Sequence, residues 1–345
     1  MITQALCYGR EQSAAVIAGR GKIERGAPNR PLSPQDLLEF GRCPWRWHNA
    51  GDPEDFLAAE GPSLLEWMAL DPGHMDRYFV RRPDTYESMR LECPKCGSEG
   101  PAKSCTKCGQ RRKNVVRPRP WTSAAKPCAA WIEQHEIANR RIVSPKDWDR
   151  AKAATDNLTA DNPILNLLPG ADRLRTLEGT WHDDATALDL PLWSRVSLSP
   201  ASESARVNAL VQIVDTTNAD PSVWEANAFR SGAHIRAALT LALWNACGLA
   251  DVREFLWIVV ERDAPFLTAR RRASQELLNE GRTRMAELLA AYAACLKADH
   301  WPSFDNPATD DLNAWSMVSV QPWFTAGAGP HGGYFAPTVA GLSNH

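Results

Sequence analysis

In the stretch VQIVDTTNAD, residues 211–220, Val211, Ile213 and Asp215 fall on one side by period-2 alternation and Gln212 and Val214 on the other. That is the pattern of a buried strand running into a turn. The segments Leu174–Trp181, Leu190–Leu198 and Asn208–Val214 share it, separated by the turn clusters HDDATA and SPASESAR, so three consecutive strands are predicted. The continuous apolar run EFLWIVVE, Glu254–Glu261, reads as a further strand covered on both faces. Around these segments the period changes to that of a helix. Ser33 followed by Pro34 reads as an N-cap and a first-turn proline, opening a short helix through Leu37, Leu38 and Phe40 that GRCPWRW stops. Further helices are predicted at Pro62–Leu70, at Trp131–Arg140, after Ser144-Pro145 through Trp148, Ala151 and Ala154, and over Ser222–Ala246. The last, about Ala273–Lys297, repeats Leu278, Met285, Leu288, Leu289, Tyr292 and Cys295 at helical spacing. Helices, three strands, helix, strand, helix is the order of an α/β fold, and no internal repeat is visible.

Composition narrows the picture modestly. A chain of 345 residues with 44% apolar and 23% charged residues is that of an ordinary globular protein, and the 14 Trp are expected mostly in the core. A formal charge of -2 means that any nucleic-acid affinity must come from local patches. The first twenty residues lack a continuous apolar segment, so no secretory signal is expected, and Ala237–Ala250 is too short and interrupted to span a bilayer. Nine Cys, an odd number with four clustered, favour a reducing cytoplasm over a disulfide framework. The organisation expected is a loose arm over 1–30, a helical part over 31–90, an insertion over 91–120, a core over 121–305 and a Pro- and Gly-rich tail over 306–345.

The insertion carries the strongest chemical signal. Cys93-x-x-Cys96 and Cys105-x-x-Cys108 are two knuckles with eight residues between them, each followed by glycine, Gly97 and Gly109. Four thiolates so spaced can surround one Zn²⁺ tetrahedrally, a closed structural site with no position for substrate. Cys43, Cys247 and Cys295 lack the spacing of an iron–sulfur set. After the knuckles comes QRRKNVVRPR, with Arg111, Arg112, Lys113, Arg117 and Arg119. Such a run serves either as a solvated face or as a basic finger on a phosphate backbone.

With its elements in order, the chain resembles the PD-(D/E)XK nuclease superfamily, in particular the exodeoxyribonuclease VIII-like proteins of phages and prophages. The resemblance spans roughly residues 32–305 and rests on LSPQDLLEFGRCPWRWHN, LDPGHMDRYFVRRPDTYES, the cysteine insertion, LDLPLWSRVSLSP, IVDTTNADPSVW, HIRAAL, FLWIVVERDAPF and CLKADHWPSF. It implies a mixed sheet flanked by helices, with a zinc-ribbon insertion and helical N-terminal additions. In active members it also implies two carboxylates, a lysine, a glutamine and an upstream histidine that hold Mg²⁺ and orient water. Here Ser197 stands for the first carboxylate, Ile213 for the second, Asp215 for the lysine and Arg236 for the glutamine, and the histidine position falls near Leu65-Glu66. The expectation is a catalytically inactive homologue that binds DNA or a recombination partner, with Arg195 and Arg236 lining the former cleft beside the finger. One alternative is a Mg²⁺-dependent exonuclease working with a single-strand annealing protein, its ligands relocated to Asp215, Glu225, Asp183 or Asp184. Another is a zinc-ribbon protein-interaction module without DNA. A bacterial or phage-infected cytoplasm and no membrane association are expected.

Overall fold

The structure, a computed structural model, describes residues 2–9, 12, 23–50, 61–160, 170–201, 208–249 and 251–303, and these belong to one compact unit. Its centre is a six-stranded sheet in the order β1-β6-β7-β8-β9-β10, formed by Ile2–Tyr8, Ala171–Asp183, Leu188–Pro200, Ala209–Thr216, Glu254–Glu261 and Thr268–Arg272. All neighbours run antiparallel except β8 and β9, so the sheet is mixed. Reaching a parallel neighbour requires a long crossover. It consists of α6 (Pro221–Arg230) and α7 (Ala233–Ala246). Sequence periodicity predicts one helix here, but the chain breaks at Gly232, whose φ of 74° suits a residue without Cβ.

Helices cover both faces. On one, α7 and α8 (Gln275–Ala298) pack with α1 (Pro34–Arg42) and α2 (Pro44–Asn49) over Leu177, Leu192, Leu210, Phe255 and Trp257. The buried positions of α8, Leu278, Gly281, Met285, Leu288, Leu289, Tyr292 and Ala293, follow the helical period. Phe40 and Trp47 close its end, meeting the Tyr292 ring edge-on at 5.4 Å each. On the other face, α3 (Leu64–Leu70) and α5 (Pro145–Ala160) cover Leu198, Val211, Ile213, Ile258 and Val260. The alternation expected of β8 holds, with Leu210 and Val214 toward the first cluster and Val211 and Ile213 in the second.

Several expectations need correction. Residues 2–8 form edge strand β1 rather than part of a loose arm. A register shift between Thr3 and Leu6 against β6 breaks the alternation that would have announced it. Residues 13–22 and the expected tail, 306–345, lie outside the described residues. The insertion is larger than 91–120: β3 (Thr85–Glu92) and β4 (Lys113–Pro120) pair antiparallel from Thr85↔Pro120 to Glu92↔Lys113, a two-stranded ribbon with the cysteines at its tip. Its base is joined to a small parallel pair, β2 (Phe79–Arg81) with β5 (Arg141–Val143), and to α4 (Lys126–Ile137). No described helix is long and apolar enough to cross a membrane.

Candidate metal centre and a buried ion pair

At the ribbon tip the two knuckles repeat one geometry. Gly97 N–H donates to Cys93 O at 2.9 Å and Gly109 N–H to Cys105 O at 2.8 Å, while Cys93 and Cys105 N–H donate to Ser98 O and Gln110 O. Both glycines take left-handed φ, 68° and 72°, which closes each turn without a Cβ clash. The sulfurs of Cys93, Cys96, Cys105 and Cys108 lie within 4.8 Å of one another, with contacts of 3.4, 3.5 and 3.8 Å. A tetrahedron with metal–sulfur bonds of about 2.3 Å needs sulfurs roughly 3.8 Å apart, so the four thiols suit one ion. Donation from the Lys107 N–H outweighs burial and draws the Cys105 thiol down to about 6. At Cys108 backbone donation from Gln110 is outweighed by the neighbouring sulfurs and burial, which push its thiol up to about 12. Four sulfurs this close cannot all ionise without a cation among them.

The basic residues around the tip divide by role. Arg112 is buried and turned inward: its Nε donates to Ser98 O at 3.1 Å and its Nη1 to Ala102 O and Ser104 O at 2.9 and 3.2 Å. It ties the knuckles together and has no face to offer a ligand. Arg111 is exposed beside the tip. The β3/β4 register puts Tyr86, Arg90, Glu92, Lys113, Arg117 and Arg119 on one ribbon face. The opposite face carries Met89 and Val116, 67% and 52% exposed. Arg117 is paired bidentately with Glu92, and Arg119 reaches Glu99 at 2.8 Å.

A second site forms where α3 meets β7 and β8. Glu66 is fully buried. Its Oε2 accepts the Ser63 N–H at 2.8 Å, closing the capping box that starts α3. Its Oε1 accepts from Ser197 Oγ at 2.6 Å and Gln212 Nε2 at 3.2 Å, and Arg195 Nη1 reaches both oxygens at 2.7 and 2.8 Å. Ser197 Oγ in turn accepts the Ile213 N–H at 2.9 Å. The β7/β8 ladder has opened here to one paired position, Leu198↔Val211, and side chains complete the hydrogen bonding. Three positions singled out in the sequence, the Leu65-Glu66 step, Ser197 and Ile213, therefore meet in space. What they build is a buried ion pair with every lone pair of the carboxylate engaged. Hydrophobic periodicity assigns Glu66 no role, although Ser63-x-x-Glu66 is a capping-box signature that marks it in the sequence.

The remaining candidates stand apart. Asp215 sits at the exposed end of β8, its Oδ2 taking Arg262 Nε at 2.5 Å. Arg236 is half-buried on α7, one turn before Thr240, whose hydroxyl meets Ser194 Oγ at 2.7 Å. Asp183 is buried as a turn cap for Thr186, whereas Asp184 and Glu225 are exposed. Among the described residues, the four cysteines are the sole set of three or more ligand-type side chains gathered within metal-binding reach.

No protein-family model matches the chain, and neither does any curated protein. Among solved structures, it is similar to a candidate exonuclease of Eubacterium rectale, with 9% identity, 58% of this chain and 74% of that one covered, and a TM-score of 0.36. It is also similar to Rai1 of Scheffersomyces stipitis, with 11% identity, 70% of this chain and 61% of that one covered, and a TM-score of 0.26. Likenesses this remote do not enter the functional argument.

Proposed function

We propose that the chain is a non-catalytic DNA-binding protein of PD-(D/E)XK ancestry whose zinc-tipped ribbon contacts the phosphate backbone. The observation that carries this reading is the strand register that gathers Arg90, Lys113, Arg117 and Arg119 on one ribbon face with two carboxylates at hand, Glu92 on that face and Glu99 at the tip. Zinc suits four thiolates at the observed spacing better than a hard cation does. The pairs Arg117–Glu92 and Arg119–Glu99 do not oppose binding strongly, because exposed ion pairs are worth about 1 kcal/mol or less and phosphates can displace them. Arg112 and Arg195, by contrast, have their donors engaged within the fold and are left out of the interface. Loss of catalysis is supported by the site at Glu66, where the Arg195 guanidinium balances the carboxylate.

The test is retention of labelled duplex and single strands across a salt series. The wild type should bind without sequence preference, and each phosphate contact removed by Arg90→Ser, Lys113→Ser or Arg117→Ser should flatten the duplex log–log salt slope by about 0.9. No retention of either form at low salt would move the reading to a protein-interaction module. Digestion of linear duplex with Mg²⁺ would move it to an exonuclease with relocated ligands.

A further inference from the structure

At the base of the ribbon lies a cavity of about 470 Å³ lined by Arg82, Trp121, Thr122, Ser123, Ile132 and Ile142. Its volume is within the range of small-molecule sites. Four elements converge on it. Arg82 follows β2 and its N–H is fixed to Val143 O at 2.9 Å; Trp121 follows β4 and its N–H is fixed to Asp84 O at 3.0 Å. Ile132 comes from α4 and Ile142 from β5. The Trp121 ring is braced edge-on by Trp131 at 5.2 Å, leaving it half-buried rather than packed away. Arg82 is the unusual member. Its neighbour Arg81 is paired with Asp84 at 3.0 Å and Asp149 at 3.5 Å, yet the Arg82 side chain has no partner among the described residues and its Nε is buried. A guanidinium with a desolvated, unsatisfied donor is costly unless an anion meets it.

We propose that this cavity binds a nucleoside monophosphate unit, with the base against Trp121 and the two isoleucines and the phosphate at Arg82 beside the Thr122 and Ser123 hydroxyls. Base stacking on an aromatic ring and bidentate guanidinium–phosphate pairing together favour such a ligand over an inorganic anion or a neutral aromatic. The unit is either a free nucleotide or the end of a nucleic-acid strand.

Calorimetric titration of the full chain with dAMP tests this. One dAMP should bind per chain, at least tenfold more tightly than deoxyadenosine or inorganic phosphate alone. Arg82→Gln should weaken dAMP at least tenfold, and Trp121→Leu similarly, whereas Trp121→Phe, which keeps a ring, should retain binding and controls for folding. Competition by a 5′-phosphorylated tetranucleotide assigns the site to a strand end, and its failure to compete assigns the site to the free nucleotide. Absence of dAMP binding at millimolar concentration, or unchanged binding by Arg82→Gln, overturns the proposal. The cavity's lining includes none of Arg90, Lys113, Arg117 and Arg119, so loss of this inference with salt-dependent DNA retention intact leaves the proposed function standing.

Discussion

The buried pair at Glu66 makes a sharp demand on stability. In Arg195→Met the aliphatic stem is replaced but the guanidinium is gone. Glu66 would then keep three neutral donors, Ser63 N–H, Ser197 Oγ and Gln212 Nε2, with no opposing charge in a fully buried position. Breaking a buried pair on one side costs about 3–5 kcal/mol, because the surviving charge stays desolvated. The Arg195 side chain retains 16% exposure, which lets some water reach the site and argues for the lower end, about 3 kcal/mol. Removing the charge from both partners in Arg195→Met/Glu66→Gln should recover part of that loss, giving a double-mutant coupling of roughly 0.5–3 kcal/mol. Urea unfolding followed by circular dichroism, with all variants zinc-saturated, should show a lower midpoint at unchanged slope for the single variant. A loss below about 1 kcal/mol for Arg195→Met, or strictly additive effects in the cycle, would refute the account of this site as a charge-balanced buried pair.

Cys93→Ser should abolish stoichiometric zinc and melt the ribbon tip while leaving the sheet's circular dichroism nearly intact, since metal binding and local folding are coupled in such sites; elemental analysis and native mass spectrometry check both parts. Gly281→Ala should destabilise the protein by about 1–3 kcal/mol or more in thermal or urea unfolding, because the new Cβ would meet His234 O at 2.2 Å where α7 and α8 touch. Burial holds the His234 imidazole below its ordinary value, with Glu280 opposing and Arg284 adding to that shift. The unfolded chain therefore takes the proton first, so stability should be full above about pH 6.5 and fall at lower pH, and His234→Phe should blunt that fall. Ser197→Asp, Ile213→Asp and Asp215→Lys together place two carboxylates and a lysine at the positions the sequence resemblance names, and thermal shift should show this variant destabilised in EDTA and recovered by Mn²⁺, with weak cleavage of linear DNA expected from the variant and none from the wild type.

Elements whose side chains repeat at a clean period were readable from the chain. The strand Glu254–Glu261 has the bounds its apolar run predicts, and the last helix, Gln275–Ala298, lies close to the predicted Ala273–Lys297. Elements were missed where local pattern and tertiary role part ways. Strand β10, TARRR, has no apolar alternation because it is an edge strand that pairs its backbone with β9, with Arg270 and Arg272 exposed and Arg271 half-buried. The ribbon was recognised only at its tip, since β3 and β4 are largely exposed on both faces and so lack a buried stripe. The four cysteines needed no tertiary information, because the order and spacing of the knuckles already bring the sulfurs together.

The second site shows why the rest was hidden. Its members Glu66, Arg195, Ser197 and Gln212 are separated by up to 146 residues, and no periodic rule connects them. The sequence marks Ser197 and Ile213 only as positions without a carboxylate, which says nothing of the partners that fill the site. Ile213 contributes through its backbone N–H, with its side chain in the apolar cluster beside Val211 and Ile258. A residue that looks useless for chemistry is thereby a fixed point of the polar network. Glu66 performs two duties at once, capping α3 with one oxygen and anchoring β7 and β8 with the other. Only the first is written in local sequence. A buried carboxylate persists when donors surround it from several elements, and folding is what assembles those donors. Charge balance at this position therefore holds α3 against the opened β7/β8 ladder, so that a single buried carboxylate fixes the helix start and the two strands together.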